Sequence, residues 1–304
     1  MLLIFALISL GALRTPQPGA PTLGDLLELA GIRERRIEGL AAADPARPVT
    51  SYAIAGKGAP LRAVAFYFAD ELEGGLLPQD FWLVTSSQRG ARARKIRASD
   101  AGLEQGPGSL LRLDFTSDFV VVGGHWSPSA APGIVVRRES LAPVGSFSGW
   151  VLAALGGNRI VYSPSMVHFA PTHPQRVRIR NLETGEEREI YPIKPESELW
   201  KRRVAHVAAL YREWGERLGN HHGDPTQFDL SVRDSFYDGA SDTLVLVLDF
   251  AARESNGLAY SDGLREVGVL YRNVSGAAKA EEAPLEELLK RHGAASAEQL
   301  VRKP

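Results

Sequence analysis

Between Leu61 and Ser275 the chain four times pairs a run of β-forming residues with a second run across a polar or Pro/Gly-rich connector. The third copy is the clearest. Asn158-Arg-Ile-Val-Tyr-Ser-Pro-Ser-Met166 leads into Arg176-Val-Arg-Ile-Arg-Asn-Leu-Glu-Thr-Gly-Glu-Glu-Arg-Glu-Ile-Tyr191, which gives a strand, a loop and a hairpin turning at Glu183-Thr-Gly185. The first copy pairs Leu61–Phe68 with Asp80–Thr85 and turns at Gln88-Arg-Gly90 into Ala91–Arg97. The second holds Leu110–Phe115, Phe119–Val122 and Ile134–Arg138, the third opens at Gly149–Leu155, and the fourth runs from Thr243–Phe250 to Val267–Arg272. Units of this kind cannot bury both faces alone and stack around a shared axis, so the pattern predicts an all-β, propeller-like fold of four or five blades. A twisted β-sandwich or paired barrels would show the same strands. Ser51-Tyr-Ala-Ile-Ala55 is a spare strand, expected to close the ring by joining the last blade.

The period changes in three places. Thr22-Leu-Gly-Asp25 resembles a helix cap, and Leu26, Leu27, Leu29, Ile32, Ile37 and Leu40 recur at roughly helical spacing, which predicts a short amphipathic helix before a linker at Ala41–Pro48. Between the third and fourth copies, Trp200, Val204, Val207, Tyr211, Trp214 and Leu218 step by four and three residues and mark one stripe of an inserted helix from Glu196 to Leu218. Packing of that stripe on the chain's own sheets is expected, with a partner surface presenting Trp200 and Trp214 as the alternative. A last helical segment, Pro284–His292, and the tail after it read as peripheral. The layout is thus a leader over 1–20, helix and linker over 21–48, a β domain over 49–276 with its insertion at 196–220, and a helical tail over 277–304.

Leu2–Leu13 is an uncharged apolar run of signal-peptide length, short of the roughly 20 residues that span a bilayer, and the turn-rich Arg14–Pro21 follows it. No stable membrane span is therefore expected. Cysteine is absent, which excludes disulfides, zinc thiolates and a thiol nucleophile. An exported chain without disulfides fits a bacterial periplasm or secretion route. With 35 basic and 36 acidic side chains there is no global field to draw nucleic acid.

The hairpin Arg178-Ile-Arg-Asn-Leu-Glu-Thr-Gly-Glu-Glu-Arg-Glu-Ile190 resembles the outer strands of TolB-type, WD40-like propeller repeats of exported bacterial proteins, which turn on a Thr-Gly or Asp-Gly step. Tyr191-Pro192 and Val167-His-Phe-Ala-Pro-Thr-His-Pro174 extend the likeness. It implies a fold and a compartment. The Pro/Asp-rich loop that follows each inner strand in that family is missing from the first and fourth copies.

Candidate chemistry gathers in two histidine segments. His168 and His173 share a loop with Pro171 and Pro174, and Asn220-His-His-Gly-Asp224 brings His221, His222 and Asp224 to the end of the inserted helix. Together they offer the nitrogen and oxygen donors of a metal site, though without the His-Glu-x-x-His spacing that fixes two ligands on one helix face. Gly145-Ser-Phe-Ser-Gly149 misses a nucleophile elbow, because Phe147 stands where the serine belongs, and reads as a strand-end turn. No phosphate loop or dinucleotide fingerprint is present, so no cofactor is evident from motifs. Arg176, Arg178 and Arg180 alternate along one strand face, as do Arg92 and Arg94 with Arg97 nearby; such a row can grip an anionic polymer or simply face water.

These features predict an exported envelope protein acting as a non-catalytic binding or interaction module, with a protein or carbohydrate of the envelope as partner and no nucleic acid. A metal-assisted hydrolase or lyase using the histidine loops, and a self-associating structural component, are the alternatives.

Overall fold

The computed structural model describes residues 20–34, 36–40, 44–71, 80–104, 106–125, 131–164, 177–190, 197–217, 227–253, 259–261, 267–276 and 279–302. Within them the chain is mostly antiparallel β and divides into two compact units between Ser148 and Gly149. The leader lies outside the described residues.

Unit 1 holds α1 (Leu23–Ala30), β1 (Ile37–Glu38), β2 (Val49–Ala55), β3 (Arg62–Phe68), β4 (Asp80–Ser87), β5 (Gly90–Arg97), β6 (Ser109–Phe115), β7 (Phe119–His125), β8 (Pro132–Arg137) and the first half of β9 (Pro143–Leu155). Two blade-like meanders result. Strands β2 to β5 pair in chain order, with β1 added parallel to β5, and β6 to β9 form the second. Alternation along the strands sends Ala63, Ala65, Tyr67, Phe81, Leu83 and Ile96 into one cluster with Leu113, Val120, Val122, Ile134 and Val136 of the second meander.

The opposite face of the first meander is covered by α1, whose Leu23, Leu26 and Ala30 join Val64, Phe66, Phe68 and Val84. This helix starts where the sequence predicts, on a reciprocal cap: Thr22 Oγ accepts from the Asp25 N–H at 3.2 Å, and the Asp25 carboxylate accepts from the Thr22 N–H at 2.9 Å. It ends early. Gly31 takes the left-handed conformation at φ 73°, so Ile32, Ile37 and Leu40 are not helical, and Ile37 opens β1 instead.

Ser51–Ala55 does not join the last blade; it pairs with β3 across the tight turn in which the Ala59 N–H donates to Gly56 O at 2.8 Å. Bulges interrupt β2 between Thr50 and Tyr52 and β6 between Leu110 and Arg112. There the Leu110 N–H donates to Ser51 Oγ at 2.8 Å, and the Tyr67 hydroxyl donates to Gly108 O at 2.9 Å. Gly145–Gly149 is likewise no turn but mid-strand in β9, where Phe147 lies opposite Gly133. A Cβ at Gly133 would meet the Phe147 ring at 2.3 Å, so the aromatic ring occupies the space a side chain would take.

Unit 2 begins at the second half of β9 and continues through β10 (Arg159–Pro164), β11 (Val177–Asn181), β12 (Glu187–Ile190), α2 (Glu198–Arg217), β13 (Gln227–Asp238), β14 (Thr243–Arg253), β15 (Ala259–Ser261), β16 (Val267–Arg272), β17 (Lys279–Pro284), α3 (Leu285–Arg291) and α4 (Ala297–Arg302). It also contains two meanders, β9 to β12 and β13-β14-β16-β17, with β15 beside the far end of β14. The predicted helical stripe packs on them: Tyr211 is fully buried in a cluster with Val161, Ile179, Leu246 and Val269, and Trp200, Val204 and Trp214 lie half-buried against it. Leu218 and the Val207 side chain fall outside the described residues. The end of the chain is not peripheral. It supplies β17 as an edge strand, and Leu288, Leu300 and Val301 bury against Val245, Val247 and Leu270 on the other face of β14 and β16.

No helix among the described residues is long and apolar enough to cross a membrane.

Candidate functional site

The alternation that builds the unit 1 core also builds a cleft where that core stops. On β4 the inward row Phe81, Leu83 continues as Thr85 and Ser87, and on β5 the inward Ile96 is followed toward the hairpin by Arg94 and Arg92. On the facing sheet the row Ile134, Val136 runs into Arg138, at the start of the β8–β9 turn. Apolar side chains thus give way to hydroxyls and guanidinium groups at one mouth of the inter-sheet space. A cleft of about 520 Å³ lies there, walled by Pro60 and Leu61, by the β4–β5 hairpin, and by Arg138 and Glu139. That volume falls in the range of about 300–1,000 Å³ in which small molecules bind.

Arg92, the cross-strand partner of Thr85, donates to the backbone carbonyl of Glu139, which ties the hairpin to the turn on the opposite sheet. Arg89 Nη1 lies 3.3 Å from Glu139 Oε1, with both side chains more than four-fifths exposed. The turn itself is fixed by the backbone, since the Arg138 N–H donates to Asp118 O and the Leu141 N–H to Arg137 O. Arg138 is half-buried, and among the described residues its guanidinium has no hydrogen-bond or ion-pair partner.

On the other side of the same hairpin a hollow of about 410 Å³ is bordered by Glu34, Arg62 and Ser86. The buried Ser86 hydroxyl donates to the Glu34 carboxylate, and Arg62 donates to Gly31 O at 2.6 Å and Ala59 O at 3.1 Å. These bonds brace the segment before β1 on the sheet. The polar groups here answer one another, which sets this hollow apart from the cleft.

Of the residues singled out in the sequence, His168, His173, Arg176, His221, His222 and Asp224 lie outside the described residues. Among the described residues there is no group of three or more His, Asp and Glu that could hold a metal ion. Arg178 and Arg180 share Glu187 on the neighbouring strand, at 3.1 and 3.0 Å, and the Tyr162 hydroxyl donates to the same carboxylate at 2.6 Å. Burial pushes the Glu187 pKa up, but the Tyr162 hydrogen bond and the Arg180 and Arg178 charges outweigh it and hold the group below its ordinary value. The arginine row is therefore partly neutralised by its own sheet. Trp200 and Trp214 face the core of unit 2. Sequence reasoning identified Arg92 within a basic row but passed over Arg138 and Glu139; the only local signal was a polar turn after a strand.

No protein-family model and no curated protein matches the chain. Among solved structures it is similar to a hypothetical selenium-binding protein from Sulfolobus tokodaii, at 10% identity over 75% of this chain and 48% of that one, with a TM-score of 0.32. It is also similar to the β-propeller domain of the Trilobed protease from Pyrococcus furiosus, at 11% identity over 79% and 71% of the two chains and a TM-score of 0.32. An exo-β-1,3-galactanase from Phanerochaete chrysosporium is matched at 8% identity over 81% and 55%, with a TM-score of 0.31. The chain spans about half the length of the first of these. Its own strand order, not these distant neighbours, defines the blade-like meanders.

Proposed function

We propose that the chain is an exported bacterial envelope protein that works as a non-catalytic binding module, with the cleft of unit 1 as its recognition site and an envelope saccharide as its ligand. The observation that carries this reading is the mouth itself. The end of the inter-sheet core is open, ligand-sized, apolar on one wall and polar on the other, and backbone hydrogen bonds hold its rim. A protein partner would need a broad patch of about 800 Å² on this chain, which a cleft of this size does not provide. The apolar Leu2–Leu13 run supports export, and for an exported chain the absence of cysteine fits a bacterial route.

The test is an amide-resonance titration with galactose, N-acetylglucosamine and galacturonate, followed by recovery of each sugar. Expected are saturable shifts at Ser87–Gly90 and Arg138–Ser140, with the sugars returned unchanged. Chemical conversion of a sugar would replace the binding module with an enzyme, and a cleft that no sugar perturbs would end the proposal. Cell fractionation tests the compartment: the mature protein is expected in the envelope fraction without its first residues, and an intact Met1 in the cytosol would refute export.

A further inference from the structure

We infer that the unit 1 cleft selects ligands bearing a carboxylate or phosphate group, and that the Glu139 carboxylate is an internal stand-in which such a ligand displaces. This rests on the cleft being the binding site. Three guanidinium groups, Arg89, Arg92 and Arg138, line it against a single carboxylate, Glu139. The excess is local, because the whole chain carries 35 basic and 36 acidic side chains.

The three cations are not equivalent. Arg92 is held by the Glu139 backbone carbonyl, so its position is set before any ligand arrives, which lowers the ordering cost of binding. Arg138 is half-buried with no partner among the described residues, so part of its hydration is already lost and an incoming anion meets little competition. Arg89 is paired with the Glu139 side chain, but both are more than four-fifths exposed, and an ion pair in that setting is weak and easily exchanged. A ligand anion that spans Arg138 and Arg89 takes the place of the Glu139 carboxylate on Arg89, and that carboxylate, already mostly in solvent, is released without disturbing the turn, because the turn is held by backbone bonds. Pro60 and Leu61 give the body of the ligand an apolar wall, so an anion attached to a ring fits better than a free ion.

Calorimetry with galactose, galacturonate, galactose 6-phosphate and inorganic phosphate tests this. Both charged sugars are expected to bind about tenfold or more tighter than galactose, with affinity falling as salt rises from about 50 to about 500 mM. Inorganic phosphate binding as tightly as the phosphorylated sugar would assign recognition to the anion alone and support the charge argument; weaker binding would support the wall as well. Arg138→Gln should cost about tenfold, Arg138→Lys should keep most of the affinity, and Glu139→Gln should improve it about three- to tenfold. Galactose binding as well as galacturonate would overturn the inference while leaving the binding module standing, and so would weaker binding by the Glu139→Gln protein. If no probe perturbs the cleft, the binding reading fails first.

Discussion

Units 1 and 2 share a plan, two four-stranded meanders around a common buried cluster, and differ in what finishes that cluster. In unit 1 the cluster comes from strands, connecting loops and the 3-10 turn Ser99–Ala101, many of its members being alanine or valine. In unit 2 a helix of 20 residues adds a buried tyrosine and two half-buried tryptophans. Where the helix is present, aromatic rings cover the apolar sheet surface. Where it is absent, the sheet rows run on past the core into threonine, serine and arginine, and water enters. The cleft therefore arises at the place where strand alternation outlasts the hydrophobic residues available to fill it.

Tyr211→Ala probes the difference between the two units most directly. If the helix completes the unit 2 core, the loss is about 3–5 kcal/mol in denaturant unfolding, the range for emptying a buried aromatic site. A loss under about 1 kcal/mol would mean the helix is a surface ornament. In unit 1 the matching test is Gly133→Ala, whose methyl group would intrude on the Phe147 ring and should cost about 1–3 kcal/mol. Unchanged stability there would show that the ring moves freely.

A smaller effect separates the charged surfaces. Because the folded Glu187 carboxyl lies below its ordinary 4.5, its contribution is complete above that pH and is lost as pH falls from 4.5 through the lower folded value. Thermal unfolding of the wild type and of Glu187→Gln should converge below that window; a constant gap down to the acid limit would remove the ion-pair argument. Smallest of all, Arg138→Gln should change stability by less than about 0.5 kcal/mol, since its guanidinium has no partner to lose. A larger loss would make Arg138 a structural residue and close the cleft as a site.

Much of the fold was legible wherever one period held. Thr243–Phe250 and Val267–Arg272 are continuous β-formers and became central strands β14 and β16. Strand β13 escaped because its Phe228, Leu230, Val232 alternation is broken by the bulge between Val232 and Asp234, which restarts the pattern on the other phase. Strand β17 reads Lys-Ala-Glu-Glu-Ala-Pro, a helix-favouring composition overridden by pairing with β16 along an edge where only Ala283 is buried. Ile37 kept helical spacing with the leucines before it, but Gly31 had already ended the helix.

The cleft was half legible. Alternation placed Arg92 and Arg94 on one face, yet no local pattern could announce that the Arg138–Glu139 turn, more than forty residues on, would meet Arg92. Convergence of that kind is a property of how sheets face, not of spacing.

The hydroxyls of Ser51 and Tyr67 bear on how the sheet edges of unit 1 resist templating by another chain. β2 and β6 are both terminal strands, and a terminal strand ordinarily offers unused N–H and C=O groups on which a second chain can template itself. Here the Leu110 N–H and the Gly108 carbonyl are already engaged by side chains from the neighbouring sheet. The bulges at Ser51 and Leu111 also spoil the straight register an intruding strand would need. Side chains of one sheet thus occupy hydrogen-bonding groups at the edge of the next, which leaves an intruding strand fewer groups to pair with there.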